Sequence, residues 1–262
     1  PAVKQAALDA GIEVLQPQRA RDASADLGAL TLDACAVVAY GALLPPSVLD
    51  LGGHGFVNLH FSLLPRWRGA APVQHALRNG DTVTGVTTFI LDEGMDTGPI
   101  LARVAVPIAA GEVAGELLER LAHHGAPVLA DSLRALVAGD RGEPQPDEGG
   151  TYAPKLTSAD LAIAWADPAA RVVDLVRSAS PRPGAHTSFR GRRLKVLRAQ
   201  ASPSSHAAGG AGTVVGDDPF GPVVVTGDGA VVLLEVQPEG RSTVSGEAFL
   251  RGYRPEVGEQ FG

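Results

Sequence analysis

The chain has 262 residues, 45% of them hydrophobic and 19% charged, with a formal net charge of −7, a balance that is ordinary for a globular protein with one large domain or two modest ones. No apolar run approaches the roughly 20 residues that a membrane span needs, and the single cysteine, Cys35, excludes an intramolecular disulfide and a cysteine-ligated metal cluster. We therefore expect a cytoplasmic, monomeric protein with neither a membrane nor a metal as a partner.

The first elements are a helix and two strands. Helical periodicity over Val3–Ala10 precedes a short apolar segment, Ile12–Leu15, that predicts a strand. Such a pair is the second half of a βαβ unit, so we expect that the chain is truncated at its N-terminus. The nearly continuous apolar run Ala34–Tyr40 predicts a strand covered on both faces, and Leu43 and Leu44 in the next loop are expected to pack in the core.

Strands and helices then alternate along the chain. The predicted elements are a strand at Phe56–Leu59, a helix at Pro72–Asn79, strands at Val86–Leu91 and Ile100–Val106, and an amphipathic segment at Glu112–Val137. Gly125 and Pro127 are expected to break or kink the last of these. The alternation predicts an α/β fold with a Rossmann-like, mainly parallel sheet, which we assign to a catalytic domain at residues 1–140.

The pattern changes in the second part of the chain. The Gly-, Pro- and acid-rich stretch at 139–150 is typical of an exposed linker, which we place at 141–153. A helix at Pro168–Ser178 and a final helix capped by Ser245 flank five short strands and a small-residue loop at Ser202–Gly210. The strands are predicted at Ala185–Phe189, Leu194–Ala199, Thr213–Val215, Val223–Val225 and Ala230–Val236. Short strands of this number predict a small OB-like β-barrel in a C-terminal domain at 154–262.

Two polar residues end the strand at Phe56–Leu59. Asn58 and His60 are two residues apart, so in an extended chain they share one face, where a strand of an open α/β sheet meets its ligand. An amide donor and an imidazole aimed at one point can stabilise an oxyanion and move a proton. The alternative is a hydrogen-bonded loop pair without a catalytic role.

A second polar cluster, Asp92-Glu-Gly-Met-Asp96-Thr-Gly98, also follows a predicted strand. Its glycines predict a tight turn that points Asp96 into the same cleft. A carboxylate near an imidazole fixes the tautomer of the ring and raises its basicity. The alternative for Asp96 is an Asx-turn or helix-cap aspartate.

The block Asn58-x-His60-x-Ser62-Leu-Leu-Pro65, together with Asp96 in Asp-x-Gly-x-Asp-Thr-Gly, resembles the active-site motif of the 10-formyltetrahydrofolate-dependent formyltransferases. The continuation from Arg66, Arg-Trp-Arg-Gly-Ala-Ala-Pro-Val-Gln, is most similar to the branch that acts on methionyl-tRNA. The glycinamide ribonucleotide branch shares the first block but normally lacks this continuation and a second domain. The resemblance covers nearly all of the chain, and the Ser-Leu-Leu-Pro block with its flanking polar pairs is highly specific.

This resemblance implies transfer of a formyl group from 10-formyltetrahydrofolate, a cosubstrate, to the α-amino group of methionine on initiator tRNA. It implies that Asn58 donates to the oxyanion. His60 would polarise the formyl oxygen or shuttle the proton, and Asp96 would orient His60 and take up the amine proton. The folate would bind against Ser62, Leu63, Leu64 and Pro65, and against Tyr40 and Gly41 in the loop after the first strand.

Basic residues are unevenly distributed. Residues 1–150 hold ten Lys and Arg against eighteen Asp and Glu, whereas residues 151–262 hold twelve against eleven. The stretch from Arg177 to Arg198 has no acidic residue. Because salt screens charges that lie farther apart than about 8–10 Å, a phosphate group responds to such a local cluster of basic residues and not to the net charge of the whole chain. We predict tRNA contacts from Arg66, Arg68, Arg190, Arg192, Arg193 and Lys195. The alternatives are a surface ion pair for Arg66 and Arg68 and a solvated hairpin face for the others.

Two rival functions remain at this point. The first is a related formyltransferase that acts on a nucleotide-sugar amine, which uses similar residues. The second is an RNA-binding protein with an inactive formyltransferase domain, although the intact trio of Asn58, His60 and Asp96 argues against it. Walker and Gly-x-Gly-x-x-Gly motifs are absent from the sequence, so nothing in it supports the use of ATP or NAD.

Overall fold

A computed structural model describes residues 2–146, 148–202 and 209–262, so positions 203–208 of the predicted small-residue loop lie outside the described residues. The helices are α1 (Ala2–Asp9), α2 (Ser24–Gly28), α3 (Pro46–Leu49), α4 (Pro72–Arg78), α5 (Ala114–Val137), α6 (Ala169–Ala179) and α7 (Gly246–Tyr253). The strands are β1 (Cys35–Val38), β2 (Phe56–His60), β3 (Val83–Ile90), β4 (Ile100–Pro107), β5 (Ala185–Phe189), β6 (Arg192–Ala201), β7 (Val214–Asp218), β8 (Gly221–Val225), β9 (Ala230–Pro238) and β10 (Val244–Ser245). Within the described residues, no helix has the length and apolar character that crossing a membrane requires.

By its backbone contacts the chain divides into two compact units. One unit comprises Pro1–His60, Thr88–Ala102 and Pro127–Gln145, and the other comprises Phe61–Thr87, Arg103–Ala126 and Pro146–Gly262.

The first sheet has the strand order β1-β2-β3-β4. Strands β1 and β2 are parallel, with Cys35 opposite Phe56. The N–H of Leu91, just beyond β3, donates to the carbonyl of Phe56 at the start of β2 (2.8 Å). The hydroxyl of Thr87, earlier in β3, donates to the carbonyl of Ser62, just beyond the end of β2 (2.7 Å), so β3 runs antiparallel to β2. Strand β4 then reverses against β3, since the N–H of Ile90 donates to Pro99 at 2.9 Å. The α/β class is confirmed, but the sheet is mixed and not mainly parallel.

The direction of β4 has a simple physical reason. Parallel neighbours need a crossover of about a dozen residues or more, usually a helix. Only residues 91–99 join β3 to β4, and they form no helix, so the two strands can pair only as a hairpin. The order of helices and strands in the sequence did not reveal the direction of β4, because parallel and antiparallel strands have similar apolar segments.

Other predictions for the first part of the chain were wrong. Residues 12–15 form no strand, and Ile12 is 60% exposed. Strand β1 alternates between half-buried and exposed positions, so it is not covered on both faces. Leu43 is 60% exposed and does not pack in the core. Helix α5 continues through Pro127 to Val137, so the expected break at Gly125 and Pro127 is absent, whereas the alternative of a kink stays a prediction.

The second sheet is antiparallel, with the strand order β5-β6-β9-β8-β7, and β10 pairs with β9. Its buried face packs with α6 and α7 around a core that includes Leu233 and Phe249 at 0% exposure. The hydroxyl of Ser245 accepts from the N–H of Ala248 at 3.2 Å, which confirms the predicted cap of the last helix. Within the described residues, β5 and β7 are the ends of this order and no strand ladder joins them.

The C-terminal residues contact both ends of the second sheet. The N–H of Gly262 donates to Ser188 of β5 at 3.0 Å, and the N–H of Val214 of β7 donates to Glu259 at 2.8 Å. The segment 258–262 therefore lies along both edge strands and covers backbone groups that an exposed strand edge would leave unpaired.

An ion pair fastens this C-terminal segment. The Arg190 guanidinium donates to both carboxylate oxygens of Glu259, at 2.8 and 2.7 Å, and also to the carbonyl of Tyr253 at 3.0 Å. The hydrogen bonds from Arg190 lower the pKa of Glu259 from its ordinary value of 4.5 to about 2. A lowered carboxyl pKa means that the folded state favours the ionised form, so the pair stabilises the fold only while Glu259 is charged.

We expect Glu259→Gln to lower the melting temperature modestly at pH 7, because the pair is partly exposed. The difference from the unsubstituted protein should persist down to about pH 4.5 and disappear as the pH falls to about 2, where Glu259 itself is protonated. Thermal unfolding of both proteins between pH 2 and 7 measures this. A difference that stays constant across that range would contradict the assignment.

Candidate active site

Strand β2 carries the first two polar side chains of the site. Asn58 is half-buried, and His60, at the end of the strand, is 6% exposed. Their neighbours Val57 and Leu59 are buried, so the strand is anchored by apolar side chains while its polar residues occupy the alternate positions. The ring of Phe89 from β3 meets the His60 ring edge-on, with centroids 6.4 Å apart. Among the described residues, Asn58 makes no side-chain hydrogen bond.

The loop between β3 and β4 is organised by Asp92. Its carboxylate accepts from the N–H of Gly94 at 3.0 Å and from the Thr97 hydroxyl at 2.9 Å. The Asx-turn considered for Asp96 is thus formed by Asp92. Gly98 is required by close packing, because a Cβ there would lie 1.8 Å from the carbonyl oxygen of Ile90.

Asp96 has a left-handed backbone conformation, with a φ of 56°. Aspartate tolerates this region better than most residues do. One carboxylate oxygen, Oδ2, lies 3.6 Å from Nδ1 of His60, and the Asp96 side chain is 15% exposed. This distance exceeds that of a hydrogen bond, but both groups are largely shielded from water, so the carboxylate would attract the ring whenever His60 is protonated.

The path by which Asp96 reaches His60 differs from the expected one. In a parallel sheet, the ends of β2 and β3 would meet at one edge and bring the two residues together there. Because β3 is antiparallel to β2, the end of β3 lies beside the start of β2, at Phe56. The loop 92–98 then folds back along β2 until Asp96 lies beside His60. The two residues meet through this return of the loop.

A segment predicted as exposed linker supports the same loop. Glu143 and Ile100 exchange backbone hydrogen bonds of 2.9 and 2.7 Å. The side-chain amide of Gln145 donates to the carbonyls of Asp96 at 2.8 Å and of Gly98 at 2.9 Å. No feature of the sequence indicated this role, since Gln145 lies between two prolines in a stretch with linker composition.

The motif Ser62-Leu-Leu-Pro65 lies in the second unit. The Thr87 hydroxyl donates to the carbonyl of Ser62 at 2.7 Å and accepts from the N–H of Leu64 at 3.1 Å. Ser62 and Leu64 are fully buried, whereas Leu63 and Pro65 are half-buried. One hydroxyl thus fixes the backbone of this turn and leaves two of its side chains partly accessible.

The remaining residues predicted to bind folate lie in the loop after β1, in the first unit. Tyr40 is 47% exposed, and Gly41 has a φ of 76°, which favours glycine. Both are accessible to a ligand.

The carboxylate of Asp81 binds the side chains of Arg66 and Trp67, the first two residues of the segment that follows Pro65. It accepts from the Arg66 guanidinium at 2.6 Å, from the Trp67 indole N–H at 2.9 Å and from the Asn79 amide at 2.7 Å. Arg66 thus forms the ion pair that was its alternative interpretation. Arg68 pairs by its backbone with residues 151–153, and the N–H of Ala153 donates to its carbonyl at 2.7 Å.

The basic stretch from Arg177 to Arg198 is partly neutralised. Arg177 pairs with Asp174, Arg190 with Glu259, and Arg198 with Glu116 and Glu235. Arg192 lies 4.0 Å from Glu239. Arg193 and Lys195 alternate with the buried Leu194 and Val196, so they point to the outer face of β6. Within the described ranges, neither of them has an ion pair.

In the part of the chain that the structure describes, no group of three or more His, Cys, Asp or Glu side chains has metal-binding geometry. What the residues of the first unit offer is an amide donor, a shielded imidazole and a carboxylate, which are suited to polarising a carbonyl and accepting a proton.

Solved structures with this fold include formyltransferases. HypX from Aquifex aeolicus in complex with tetrahydrofolic acid is similar at a TM-score of 0.69 and 18% identity, over 90% of this chain and 41% of that chain. This chain thus spans about two fifths of HypX. WlaRD, a sugar 3N-formyl transferase solved in the presence of dTDP and 5-N-formyl-THF, is similar at a TM-score of 0.64 and 16% identity, over 90% of this chain and 81% of that chain. These likenesses define the class of fold.

The sequence comparisons are more specific. The profile described as formyl transferase matches residues 3–133, and that of the formyl transferase C-terminal domain matches residues 155–254. The chain is 46% identical to the methionyl-tRNA formyltransferase of Streptomyces griseus, over 99% of this chain and 84% of that protein. It is 43% identical to the methionyl-tRNA formyltransferase of Acidothermus cellulolyticus, over 99% of this chain and 85% of that protein. The chain belongs to the formyl transferase family, which confirms the resemblance of its motifs.

Proposed function

We propose that this chain transfers the formyl group of 10-formyltetrahydrofolate to the α-amino group of methionine on initiator tRNA. The observation that carries the proposal is the shielded pair of His60 and Asp96, 3.6 Å apart, with Asn58 two residues before His60 on the same strand. This constellation lies in a chain with 46% identity to a methionyl-tRNA formyltransferase.

In this reaction the amine nitrogen attacks the formyl carbon and a tetrahedral intermediate forms. Asn58 donates a hydrogen bond to the oxygen that becomes negative, and His60 assists by polarising that oxygen or by moving the proton. Asp96 keeps the imidazole oriented and takes up the proton that the amine releases, directly or through water. The bond from the carbon to N10 of the folate then breaks, and N10 receives a proton, so tetrahydrofolate and the formylated amine leave.

The residues proposed to bind the folate are Tyr40 and Gly41 and those of the turn Ser62-Leu-Leu-Pro65. Tyr40 and Gly41 offer an accessible ring and an open backbone in the loop after β1. Leu63 and Pro65 offer partly accessible apolar surface, while Ser62 and Leu64 keep the turn in shape. This assignment rests on the family motif.

We propose a catalytic domain at 1–140, a linker at 141–153 and a tRNA-binding domain at 154–262. The interval of residues 134–154 between the two family profiles supports this division. We also propose that the second sheet works as an OB-like barrel, because the segment 258–262 bonds to both of its edge strands. An enzyme of translation initiation acts in the cytoplasm, which remains our prediction for this chain.

The tRNA phosphates are proposed to bind Arg192, Arg193 and Lys195 on β6, together with Arg66 and Arg68. Arg193 and Lys195 are the strongest candidates because they project from the outer face of the strand without acidic partners among the described residues. Arg190 lies in the same basic stretch and is also proposed to contact tRNA. It is a weaker candidate because its guanidinium already donates hydrogen bonds to Glu259.

We expect Arg193→Gln together with Lys195→Gln to weaken tRNA binding in a salt-dependent way. Each lost phosphate contact lowers the slope of log K against log salt by about 0.7–0.9, so the pair should lower it by about 1.4–1.8. Binding titrations between 50 and 200 mM salt measure this slope. Arg134→Gln, an exposed arginine paired with Asp131 on α5, is the matched control and should leave it unchanged. An unchanged slope in the double variant would remove these two residues from the proposal.

Product analysis by mass spectrometry tests the function directly. The protein is incubated with 10-formyltetrahydrofolate and either methionyl-tRNA or a dTDP-linked amino sugar, the amine class of the rival interpretation. Formylmethionyl-tRNA without formylated sugar is the expected result. Formylated sugar alone would replace the proposal, and folate binding without either product would favour an inactive formyltransferase domain.

A further inference from the structure

The loop that carries Asp96 depends on one side chain from outside the loop. The two donor hydrogens of a primary amide can satisfy two acceptors at once, and Gln145 donates to the carbonyls of Asp96 and Gly98 at 2.8 and 2.9 Å. These carbonyls flank Thr97, whose hydroxyl bonds to Asp92 at the start of the loop. The loop is therefore fixed from within by Asp92 and from outside by Gln145.

Asp96 needs such support. Its backbone has a φ of 56°, a left-handed conformation that aspartate tolerates but that is not the preferred one, so contacts from neighbouring residues help to select it. It lies in a connection with neither a helix nor a strand, so regular backbone hydrogen bonding does not fix the position of its carboxylate. A shift of about 1 Å in a catalytic group can lower a rate by about 100-fold.

We propose that Gln145 is a positioning residue for the formyl transfer, acting through Asp96. It holds the loop 96–98 so that the Asp96 carboxylate stays beside the imidazole of His60. This inference rests on the proposed function. It assigns a role in catalysis to a residue of the segment 141–153, whose composition by itself predicts only a linker.

The test is a double-mutant cycle measured in the full-length protein. Gln145→Met keeps the length of the side chain but removes both donors, and we expect kcat to fall about 10–100-fold with little change in either KM. In the Asp96→Asn background the same substitution should have no further effect, because the group it positions is already lost. Gln5→Met removes a matched amide that donates to Asp9 at 2.8 Å on the exposed helix α1, and it should leave kcat unchanged.

Multiplicative losses in the double variant, or a kcat for Gln145→Met within threefold of the unsubstituted protein, would overturn the proposal. If Gln145→Met does not fold, Gln145→Glu replaces it in the cycle, since it has the same shape without the donors. A crystal structure of the variant gives a readout that does not depend on activity. The distance from Asp96 Oδ2 to His60 Nδ1, 3.6 Å here, should increase beyond about 5 Å or the loop should lose its order.

This structural readout separates the two proposals. If the unsubstituted protein formylates no methionyl-tRNA, the proposed function fails, while the displaced carboxylate in the variant still supports the positioning role. If the function is correct but the Asp96–His60 distance is unchanged in the variant, only the role of Gln145 fails.

Discussion

Asn58→Ala is expected to lower the kcat for formyl transfer by about 10²–10³. The amide of Asn58 is the donor proposed for the oxygen that becomes negative in the tetrahedral intermediate. Because this charge exists only in the transition state, the loss should fall on kcat, with small changes in KM for the folate and for tRNA. Single-turnover formylation of methionyl-tRNA with saturating 10-formyltetrahydrofolate measures it.

Asn58→Asp is the matched variant, since it has the same shape but replaces the amide donor with an acceptor. It should be at least as slow as Asn58→Ala, because a carboxylate would also repel the oxyanion. The melting temperatures of both variants should stay close to that of the unsubstituted protein, as Asn58 is half-buried and makes no side-chain hydrogen bond to the described residues. A kcat for Asn58→Ala within threefold of normal would show that the oxyanion is stabilised elsewhere.

Asp96→Asn is expected to lower kcat by about 10²–10⁴, the usual contribution of a positioned acid or base. The amide is nearly the same size as the carboxylate, so the loop keeps its shape, but it cannot accept the amine proton or stabilise a protonated His60. Pre-steady-state assays over a range of pH measure the loss. If the carboxylate acts as the base, the variant should also lose the acidic limb of the pH profile.

The control for this substitution is Asp131→Asn, which removes an exposed carboxylate that pairs with Arg134 on α5. It should leave both kcat and its pH profile unchanged. An Asp96→Asn variant that retains the normal pH profile, whatever its rate, would mean that the amine proton is accepted by another group and that Asp96 only orients the imidazole.

The sequence motifs identified the family, and the comparisons confirmed it. Local chemistry also specified most elements of the second sheet, because most of its strands contain a short apolar segment and Gly or Pro turns separate them. Strand β5 was predicted with its observed bounds, Ala185–Phe189. Helix α7 begins at Gly246, after the predicted Ser245 cap. Such features depend on neighbours within a few residues, so they can be read from the chain itself.

The same local patterns did not predict how segments that are distant in sequence are arranged relative to one another. Apolar runs gave the positions of β2 and β3 but not their relative direction, which depends on hydrogen bonds such as that from Leu91 to Phe56. The stripe of basic residues was correct as a sequence pattern, but Glu259 and Glu116, which neutralise Arg190 and Arg198, are distant in sequence.

The sequence by itself determined which side chains are candidates for the chemistry, since Asn58, His60 and Asp96 belong to motifs that can be recognised from neighbouring residues alone. Only the tertiary structure decided how they are arranged. The loop returns along β2 and brings Asp96 to within 3.6 Å of His60, and Gln145, from a segment with linker composition, holds the loop there. The physical reason is that a reactive group is defined by its own atoms, whereas its position depends on hydrogen bonds and packing from residues far along the chain.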